Sequence, residues 1–433
     1  PVFAALTLVP LAFGIVATLA TGHGLDELFA WIQQGLFFKS NPETGKVSFG
    51  VISPAITILF SILFFDLMLG VGLFDPIAEF FIKKAKGDPL KVMLSTVMVS
   101  SVVALNGDTT TTVIICLSAF ISLYRQMGIR LSRLAIIIVA PVGIWNMLPW
   151  GGPTIASATA HGLEVNTLFS ALLPGLVAAQ VAVIVITYVL GLQERRHLGF
   201  DASSSGEVEQ ERIDEMLAAI RDKDSELKRP RLFAFNLVLT AVAIVLLIQG
   251  TVHGSIVFLL ASAVALVVNY RDADLCAQRI EDLSADVLPT AIVTMGAGVF
   301  SGVLTGTGMA GALASSIASL IPEGLGAHMA PVYAVIVAPA ICFLPQDAFY
   351  FGIASVMKDV MINFGLTATD AAVASMIGQC VRLVSPVIPV LYMLVGECKL
   401  NFVEFQKEYV KYYGWVLLVV YLVVFAAMGK LPV

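Results

Sequence analysis

The chain has 433 residues, of which 58% are hydrophobic and only 13% charged, and its mean hydropathy is +0.90. Soluble domains carry about 25% charged residues, so this composition excludes an ordinary soluble protein. The net charge is −6, and no basic stripe indicates a nucleic-acid partner. We therefore predict an all-α polytopic membrane protein whose apolar helices face lipid.

Long uncharged runs indicate where the chain crosses the bilayer, because about 20 apolar residues suffice for one crossing. These runs cover residues 134–163, 165–193, 232–270 and 287–322. The first half is predicted to begin with a helix at 2–20, an amphipathic segment at 24–38 and a helix at 48–69. The second half is predicted to begin with helices at 232–250 and 254–270, an amphipathic segment and a helix at 286–305. The first half is thus one helix short, and we expect a further transmembrane helix upstream of Pro1.

One long hydrophilic segment, residues 194–231, divides the chain. It holds eight Lys or Arg and ten Asp or Glu residues. Because Lys and Arg set orientation while acidic residues count little, this linker is predicted to be cytoplasmic. The division gives a first repeat at 1–193 and a second repeat at 232–433.

The two halves show weak but consistent self-similarity. The pattern Phe64-x5-Gly70-Val71-Gly72 matches Phe300-x5-Gly306-Thr307-Gly308. Further along, Asp108 matches Asp347, Gly128 matches Gly365, and Leu148-Pro149 matches Ser385-Pro386. This spacing predicts an inverted repeat of the kind that secondary transporters use.

The paired aspartates are the main functional signal. Asp108 is the only charge in residues 92–124, and Asp347 is the only charge in residues 329–357. A carboxylate at the centre of a bilayer costs roughly 3 kcal/mol or more, so such a residue is a candidate functional site. The alternative is a purely structural role, because Asp followed by Thr or Ala also caps the N-terminus of a helix.

The charges around Asp108 predict a re-entrant helical hairpin. Lys91 precedes the segment and Arg125, Arg130 and Arg133 follow it, so both ends are expected on the cytoplasmic side. The tip would lie near 106–109. The matching segment, with its tip near 345–348, has a weaker basic bias and is expected to open on the outer face. Two hairpins from opposite faces are what an inverted repeat produces.

Four interruptions of the helices are predicted at membrane depth. We call them the first tip (105–109), the first break (146–154), the second tip (344–348) and the last break (385–389). Non-helical backbone is tolerated there only when protein or a watery cavity covers it. The N-termini that follow these interruptions favour anions, and the preceding C-termini favour cations. Arg382 could hold a carboxylate bidentately, or it could only snorkel or pair within the protein.

Three motifs resemble the citrate–metal–proton symporter family of the ion transporter superfamily. They are Asn106-Gly-Asp-Thr-Thr-Thr-Thr112, Asn146-Met-Leu-Pro-Trp-Gly-Gly-Pro-Thr154 and Leu344-Pro-Gln-Asp-Ala-Phe-Tyr-Phe-Gly352. The resemblance covers nearly the whole chain. It implies uptake of citrate or a related di- or tricarboxylate as a complex with a divalent metal such as Mg²⁺ or Ca²⁺. It also implies coupling to protons or sodium, a homodimer and an elevator motion.

The resemblance assigns a substrate and ion site to residues at all four interruptions. With Arg382, whose role stays open, the candidate residues are Asn106, Gly107, Asp108, Thr109, Thr110, Asn146, Gly151, Gly152, Pro153, Thr154, Gln346, Asp347, Ala348, Arg382, Ser385 and Pro386. Asp108 and Asp347 are expected to serve the coupling ion or to contact the metal of the substrate. No permanently bound cofactor is expected.

Three other functions are compatible with a polytopic chain. A sodium–proton or oxyanion exchanger of the same superfamily would keep the fold and leave Arg382 structural. A membrane hydrolase that uses the paired aspartates is disfavoured, because no nucleophile motif or His/Cys cluster accompanies them. A channel is disfavoured because no pore repeat or continuous polar helix stripe is present.

Overall fold

A computed structural model describes residues 2–40, 47–76, 79–80, 88–199, 226–249, 252–326, 328–344, 346 and 348–431. These residues are almost entirely helical, as the apolar composition predicts. The first half contains α1 (Val2–Thr21), α2 (Leu25–Leu36), α3 (Ile52–Gly70), α4 (Pro89–Val103), α5 (Thr109–Met127), α6 (Leu131–Trp145), α7 (Gly152–His161) and α8 (Val165–His197).

The second half begins with helices close to the predicted ones and continues with shorter segments. They are α9 (Phe233–Gln249), α10 (Gly254–Asn269), α11 (Ala273–Gly306), α12 (Met309–Leu320), α13 (Glu323–Gly326), α14 (Met329–Phe343), α15 (Ser355–Asn363), α16 (Ala368–Ile377), α17 (Gln379–Arg382), α18 (Pro389–Glu397), α19 (Phe402–Tyr409) and α20 (Trp415–Ala427). Short 3-10 turns lie at Ala104–Asn106 and Pro230–Leu232, and π-helical segments lie at Ala348–Ala354 and Val410–Gly414.

A small antiparallel ribbon departs from the all-α prediction. Strand β1 (Phe38–Ser40) pairs with β2 (Val47–Phe49), with Phe38 opposite Phe49. The amide of Gly50 continues the pairing by donating to Phe37 O at 2.8 Å. The ribbon reverses the chain between α2 and α3. Neither of its strands is long enough to produce the alternating pattern by which a strand is recognised in a sequence.

Six helices in the described part of the chain are long and apolar enough to cross a membrane. A seventh crossing is formed if Ala291–Gly306 and Met309–Leu320, which meet at a bend of 72°, count as one broken span. The protein is therefore a multi-pass membrane protein. The boundaries of the 194–231 linker stay a prediction: α8 continues to His197, and residues 200–225 lie outside the described residues.

The helices pack in two groups. The scaffold group consists of α1, α2, α3, α9, α10 and α11, with α11 against α1, α2 and α3, and α10 against α3 and α9. The site group consists of α4 to α8 and α14 to α20, with α4 against α6 and α8, and α14 against α16 and α17. The two groups also touch: α3 and α11 pack on α7, α9 packs on α8, and α12, which follows α11, packs on α15.

Glycines let the helices of the scaffold group approach closely. A Cβ atom on Gly302 would lie 2.4 Å from Trp31 O, and one on Gly35 would lie 2.2 Å from Gly298 O. Small residues at such crossings allow the helix backbones to touch. Inside membranes this close packing matters because the hydrophobic effect does not drive helices together. The scaffold group is thus built for close, fixed contact between α2 and α11.

Helices α4 and α5 form the first hairpin; that it is re-entrant, with both ends on the cytoplasmic side, stays a prediction. Helices α4 and α5 fold back on each other around the first tip, and Thr96 Oγ1 lies 3.0 Å from Tyr124 Oη across the two arms. Both arms pack on α6. The base of this hairpin is fixed by buried acids: Asp88 pairs with Arg195, and Glu194 accepts from Arg130 Nε at 2.9 Å. Both ends of the hairpin therefore lie beside the C-terminal turn of α8, from which the linker leaves.

Helices α14 and α15 flank the second tip, and we call them the second hairpin; that it is re-entrant stays a prediction. Phe364, which follows α15, packs on Gly326, which precedes α14: a Cβ on Gly326 would lie 2.4 Å from Phe364 Cδ1. The open ends of the two arms thus meet, as in the first hairpin. The second arm differs because it starts with a π-helical segment rather than a capped α-helix. Such segments are frequent at functional sites.

Candidate functional site

The first tip is held in shape by its own polar side chains. The amide of Asp108 donates to Asn106 Oδ1 at 2.8 Å, and Asp108 Oδ2 accepts from the amide of Thr111 at 2.5 Å. Gly107 between them has φ +80°, a left-handed conformation that glycine adopts at no steric cost. Asp108 is therefore the N-cap of α5, so the capping role that the sequence predicts as an alternative is confirmed. Capping engages one oxygen and leaves ion contact compatible with it.

The first break lies directly against the first tip. Asn146, at the end of α6, donates from Nδ2 to Thr109 Oγ1 at 2.8 Å. The indole of Trp150 donates from Nε1 to Leu105 O at 2.7 Å. These two bonds join the interruption between α6 and α7 to the turn between α4 and α5. The sequence separation between them is long, so only the folded chain brings them together.

Gly151 is required by the path of the first break. A Cβ atom on Gly151 would lie 1.9 Å from Asn146 O, a distance at which the backbone must move. Helix α7 then begins at Gly152 with Pro153 in its first turn, where a missing amide hydrogen costs nothing. The Gly-Gly-Pro sequence thus makes a tight reversal followed by a new helix N-terminus that no side chain covers.

The second tip approaches the first break through Gln346. A Cβ atom on Gly152 would lie 3.2 Å from Gln346 Nε2, so the amide of Gln346 stands beside the start of α7. Ala348, half-buried, opens the π-helical segment. Asp347 lies outside the described residues, and its predicted role stays a prediction.

The last break is tied to the end of α14. Ser385 Oγ donates to Cys342 O at 2.5 Å and accepts from the amide of Val387 at 3.2 Å. Arg382 Nη1 donates to Ile341 O at 2.8 Å and to Leu344 O at 3.1 Å. The guanidinium therefore caps the C-terminus of α14 beside the second tip. This is a structural role, and it also places the positive charge of Arg382 within the predicted site.

The structure orders the candidate residues by exposure. Asn106, Gly151, Pro153, Thr154 and Ser385 are buried, Gly107, Asp108, Thr109, Asn146, Gly152, Gln346, Ala348 and Arg382 are half-buried, and Thr110 and Pro386 are exposed.

The contacts described above divide the candidate residues into two clusters. One joins the first tip, the first break and Gln346, and the other joins the last break to the arm of the second hairpin. No hydrogen bond between described side chains links Ser385 or Arg382 to the first cluster.

Three buried polar atoms of the first cluster have no partner within the protein. Asn106 Nδ2, Asn146 Oδ1 and Thr154 Oγ1 are buried and have no hydrogen-bond partner within the protein. Leaving a buried donor or acceptor unpaired costs about 1–3 kcal/mol. Asn106 offers a donor, because its Oδ1 is fixed by the amide of Asp108, whereas the hydroxyl of Thr154 can donate or accept. Three such atoms at predicted site residues indicate a polar ligand.

The chemistry available in this region suits an anion that carries a cation. The N-termini of α5 and α7 supply amide groups and partial positive charge. The carboxylate of Asp108 supplies a negative charge, and carbonyls at the ends of α4 and α6 supply acceptors. Within the described ranges, no three His, Cys, Asp or Glu side chains come together as a metal site.

Trp150 is not among the candidate residues that the sequence assigns to the site. Its hydrogen bond to Leu105 O and its contact with Gly107, where a Cβ would lie 3.2 Å from Trp150 Cδ1, make it part of the first tip. The signal was available, since Trp150 stands inside the motif that ends in Gly-Gly-Pro. Its partner, a backbone carbonyl, leaves no mark in a sequence.

Solved structures of two membrane transporters share this fold. The Alcanivorax borkumensis YdaH transporter has a TM-score of 0.58 at 15% identity, with 98% of this chain and 99% of that chain covered. Neisseria gonorrhoeae MtrF, described as one of a class of antimetabolite efflux pumps, has a TM-score of 0.58 at 14% identity, with 96% and 94% covered. At such identities the likeness supports the architecture alone.

Sequence relatives are closer. A Bacillus subtilis (strain 168) citrate transporter is 34% identical over 411 residues, covering 94% of this chain and 89% of the relative. A Mg(2+)/citrate complex secondary transporter from the same strain is 34% identical over 412 residues, covering 95% and 90%. These relatives are transporters rather than enzymes. The model of the CitMHS citrate transporter family matches residues 2–378, and the chain belongs to that family.

Proposed function

We propose that this protein is a secondary active transporter that takes up citrate, or a related di- or tricarboxylate, as a complex with a divalent metal. The observation that carries the proposal is the cluster of unpartnered buried polar atoms on Asn106, Asn146 and Thr154, beside the Asp108 carboxylate. The relatives named for citrate and for its Mg²⁺ complex support this choice of substrate.

The substrate's carboxylates bind at the helix N-termini of the site. The start of α7 presents amide groups behind Gly151 and Gly152 that no side-chain hydrogen bond caps, with the amide of Gln346 beside Gly152. The amide of Asn106 and the hydroxyl of Thr154 complete the donors. Asn146 Oδ1 accepts a hydrogen bond from a hydroxyl group of the substrate or contacts the metal.

Asp108 and Asp347 interact with a cation during the transport cycle. Each either takes up the coupling proton or sodium ion or contacts the metal of the substrate. Asp108 fits this role because it lies beside the unpartnered atoms, with one carboxylate oxygen committed to the amide of Thr111. Neutralising a carboxylate in this apolar setting would help the loaded site to move through the membrane.

The motion proposed is that of an elevator within a homodimer. The scaffold group stays fixed, and the site group, which carries both hairpins, moves against it. In support, close glycine contacts hold the helices of the scaffold group together. The first hairpin opens beside the start of the linker, as expected for an inverted repeat with its linker in the cytoplasm.

Thermal unfolding of the purified protein tests the substrate. A ligand that binds only the folded state raises the melting temperature. At a free ligand concentration of about one hundred times Kd, the free energy of unfolding increases by about 2.7 kcal/mol. We expect stabilisation when citrate is present together with Mg²⁺, Ca²⁺ or Zn²⁺, and little from either component alone. Stabilisation by a carboxylate with Na⁺ alone would instead indicate sodium-coupled anion uptake. No response to any carboxylate would contradict the proposal and favour a sodium–proton or oxyanion exchanger.

Arg382→Ala tests whether this arginine contacts the substrate in addition to capping α14. A charge-assisted hydrogen bond contributes about 1.5–3 kcal/mol, so we expect the apparent affinity for metal citrate to fall tenfold or more. Arg125→Ala is the matched control. Arg125 Nη2 donates to Glu397 O at 2.7 Å and so also caps the C-terminus of a helix, α18, away from the tips. If both variants lower the melting temperature and neither changes the affinity, Arg382 is only a cap.

A further inference from the structure

The tip of the first hairpin is linked to the scaffold group through Trp150. This side chain is 4% exposed and stands between the two groups. On one side its Nε1 donates to Leu105 O at 2.7 Å, and Gly107 lies against its ring. On the other side its ring meets aromatic residues of α3 and α10.

The aromatic contact is closely packed. The ring of Phe65 on α3 stacks on Trp150 with a centroid distance of 4.9 Å and an interplanar angle of 23°. Phe258 on α10 meets Trp150 edge to face at 5.8 Å and 78°. Phe65 and Phe258 also contact each other at 5.8 Å, and both are 1% exposed or less. Offset-stacked and edge-to-face geometries are the favourable ones for such rings.

We infer that Phe65 and Phe258 are positioning residues for the transport site. They hold the indole of Trp150 in one orientation, and the indole in turn holds Leu105 O and Gly107 at the first tip. The scaffold group therefore sets the shape of the substrate site although none of its side chains belongs to the proposed substrate contacts.

Two leucine substitutions test the inference, and the scaffold supplies a matched control. Phe65→Leu and Phe258→Leu remove the rings that touch Trp150 but keep an apolar side chain. Phe64→Leu removes a ring of equal burial that contacts Phe65 at 5.3 Å and Phe258 at 5.9 Å. Among the aromatic contacts of the described residues, Phe64 has none with Trp150, so it reports on general loosening of the core.

The first readout needs no substrate. Hydrogen–deuterium exchange of the full-length protein would be followed at residues 104–112 and 146–152. Loss of one aromatic pair should speed exchange there by about 3- to 10-fold in Phe65→Leu and Phe258→Leu, and not in Phe64→Leu. Unchanged exchange at the tip in both variants, or equal acceleration by Phe64→Leu, would overturn the inference.

The second readout rests on the proposed function. Misplacing the tip should raise KM for metal citrate by about 3- to 10-fold, with the maximal rate within about twofold of the parent protein. The two readouts separate the possible failures. If the parent protein neither binds nor transports citrate, the proposed function fails while exchange at the tip still judges the role of Phe65 and Phe258. If citrate is transported and KM is unchanged in both variants, these residues are structural only and the inference is wrong.

Discussion

Asp108→Asn is expected to reduce concentrative citrate uptake to background while the protein stays folded. Asparagine caps helices about as well as aspartate, so the hydrogen bond to the amide of Thr111 can persist in the variant. Only the negative charge is lost. If that charge takes up the coupling ion or contacts the metal, no side-chain amide can replace it. Initial rates of uptake in proteoliposomes, with the melting temperature measured alongside, would check both expectations.

Asp370→Asn is the control for this substitution. Asp370 is a buried carboxylate at another helix N-terminus, where its Oδ2 accepts from the amide of Thr367 at 3.1 Å and takes part in a capping box. This variant should keep its uptake within a few-fold of the parent. Normal uptake by Asp108→Asn would show that Asp108 is only a cap, and equal losses in both variants would indicate damage to folding rather than to transport.

The first hairpin could be predicted from the sequence because its signals are local. An isolated Asp108 in an apolar run, a glycine beside it and basic residues at both ends suffice to place the turn and its arms. The structure adds the reason that the ends stay together. Buried Glu194 pairs with Arg130, and buried Asp88 pairs with Arg195, across long sequence separations. The sequence shows these residues as flanking charges without showing their partners.

Several contacts at the interruptions could not be predicted, because they join side chains to backbone atoms. Arg382 was left between binding a carboxylate and pairing within the protein, and the structure shows it donating to Ile341 O and Leu344 O. Trp150 donates to Leu105 O in the same manner. A carbonyl is present at every residue, so its choice as a partner depends on the folded geometry alone. The resemblance to a family placed these residues in the site without supplying such contacts.

Gly151→Ala is expected to cause the largest loss among substitutions that change no charge. The added Cβ would lie 1.9 Å from Asn146 O, so either the first break opens or Asn146 moves. Overpacking of this kind costs about 1–3 kcal/mol. Moving Asn146 would also break its bond to Thr109 Oγ1 and displace the unpartnered Oδ1. We therefore expect stabilisation by metal citrate to disappear and the melting temperature to fall.

Gly152→Ala separates this effect from a general intolerance of side chains in the motif. Its Cβ would meet only the amide end of Gln346, at 3.2 Å, and that flexible side chain can shift by a few tenths of an ångström. This variant should fold normally and lose no more than about tenfold in affinity, since it disturbs one contact of the second tip. If Gly151→Ala binds metal citrate as the parent does, the reversal before α7 is not what shapes the site. The substrate donors would then have to lie outside the N-terminus of α7, as at Asn106 Nδ2 of the first tip.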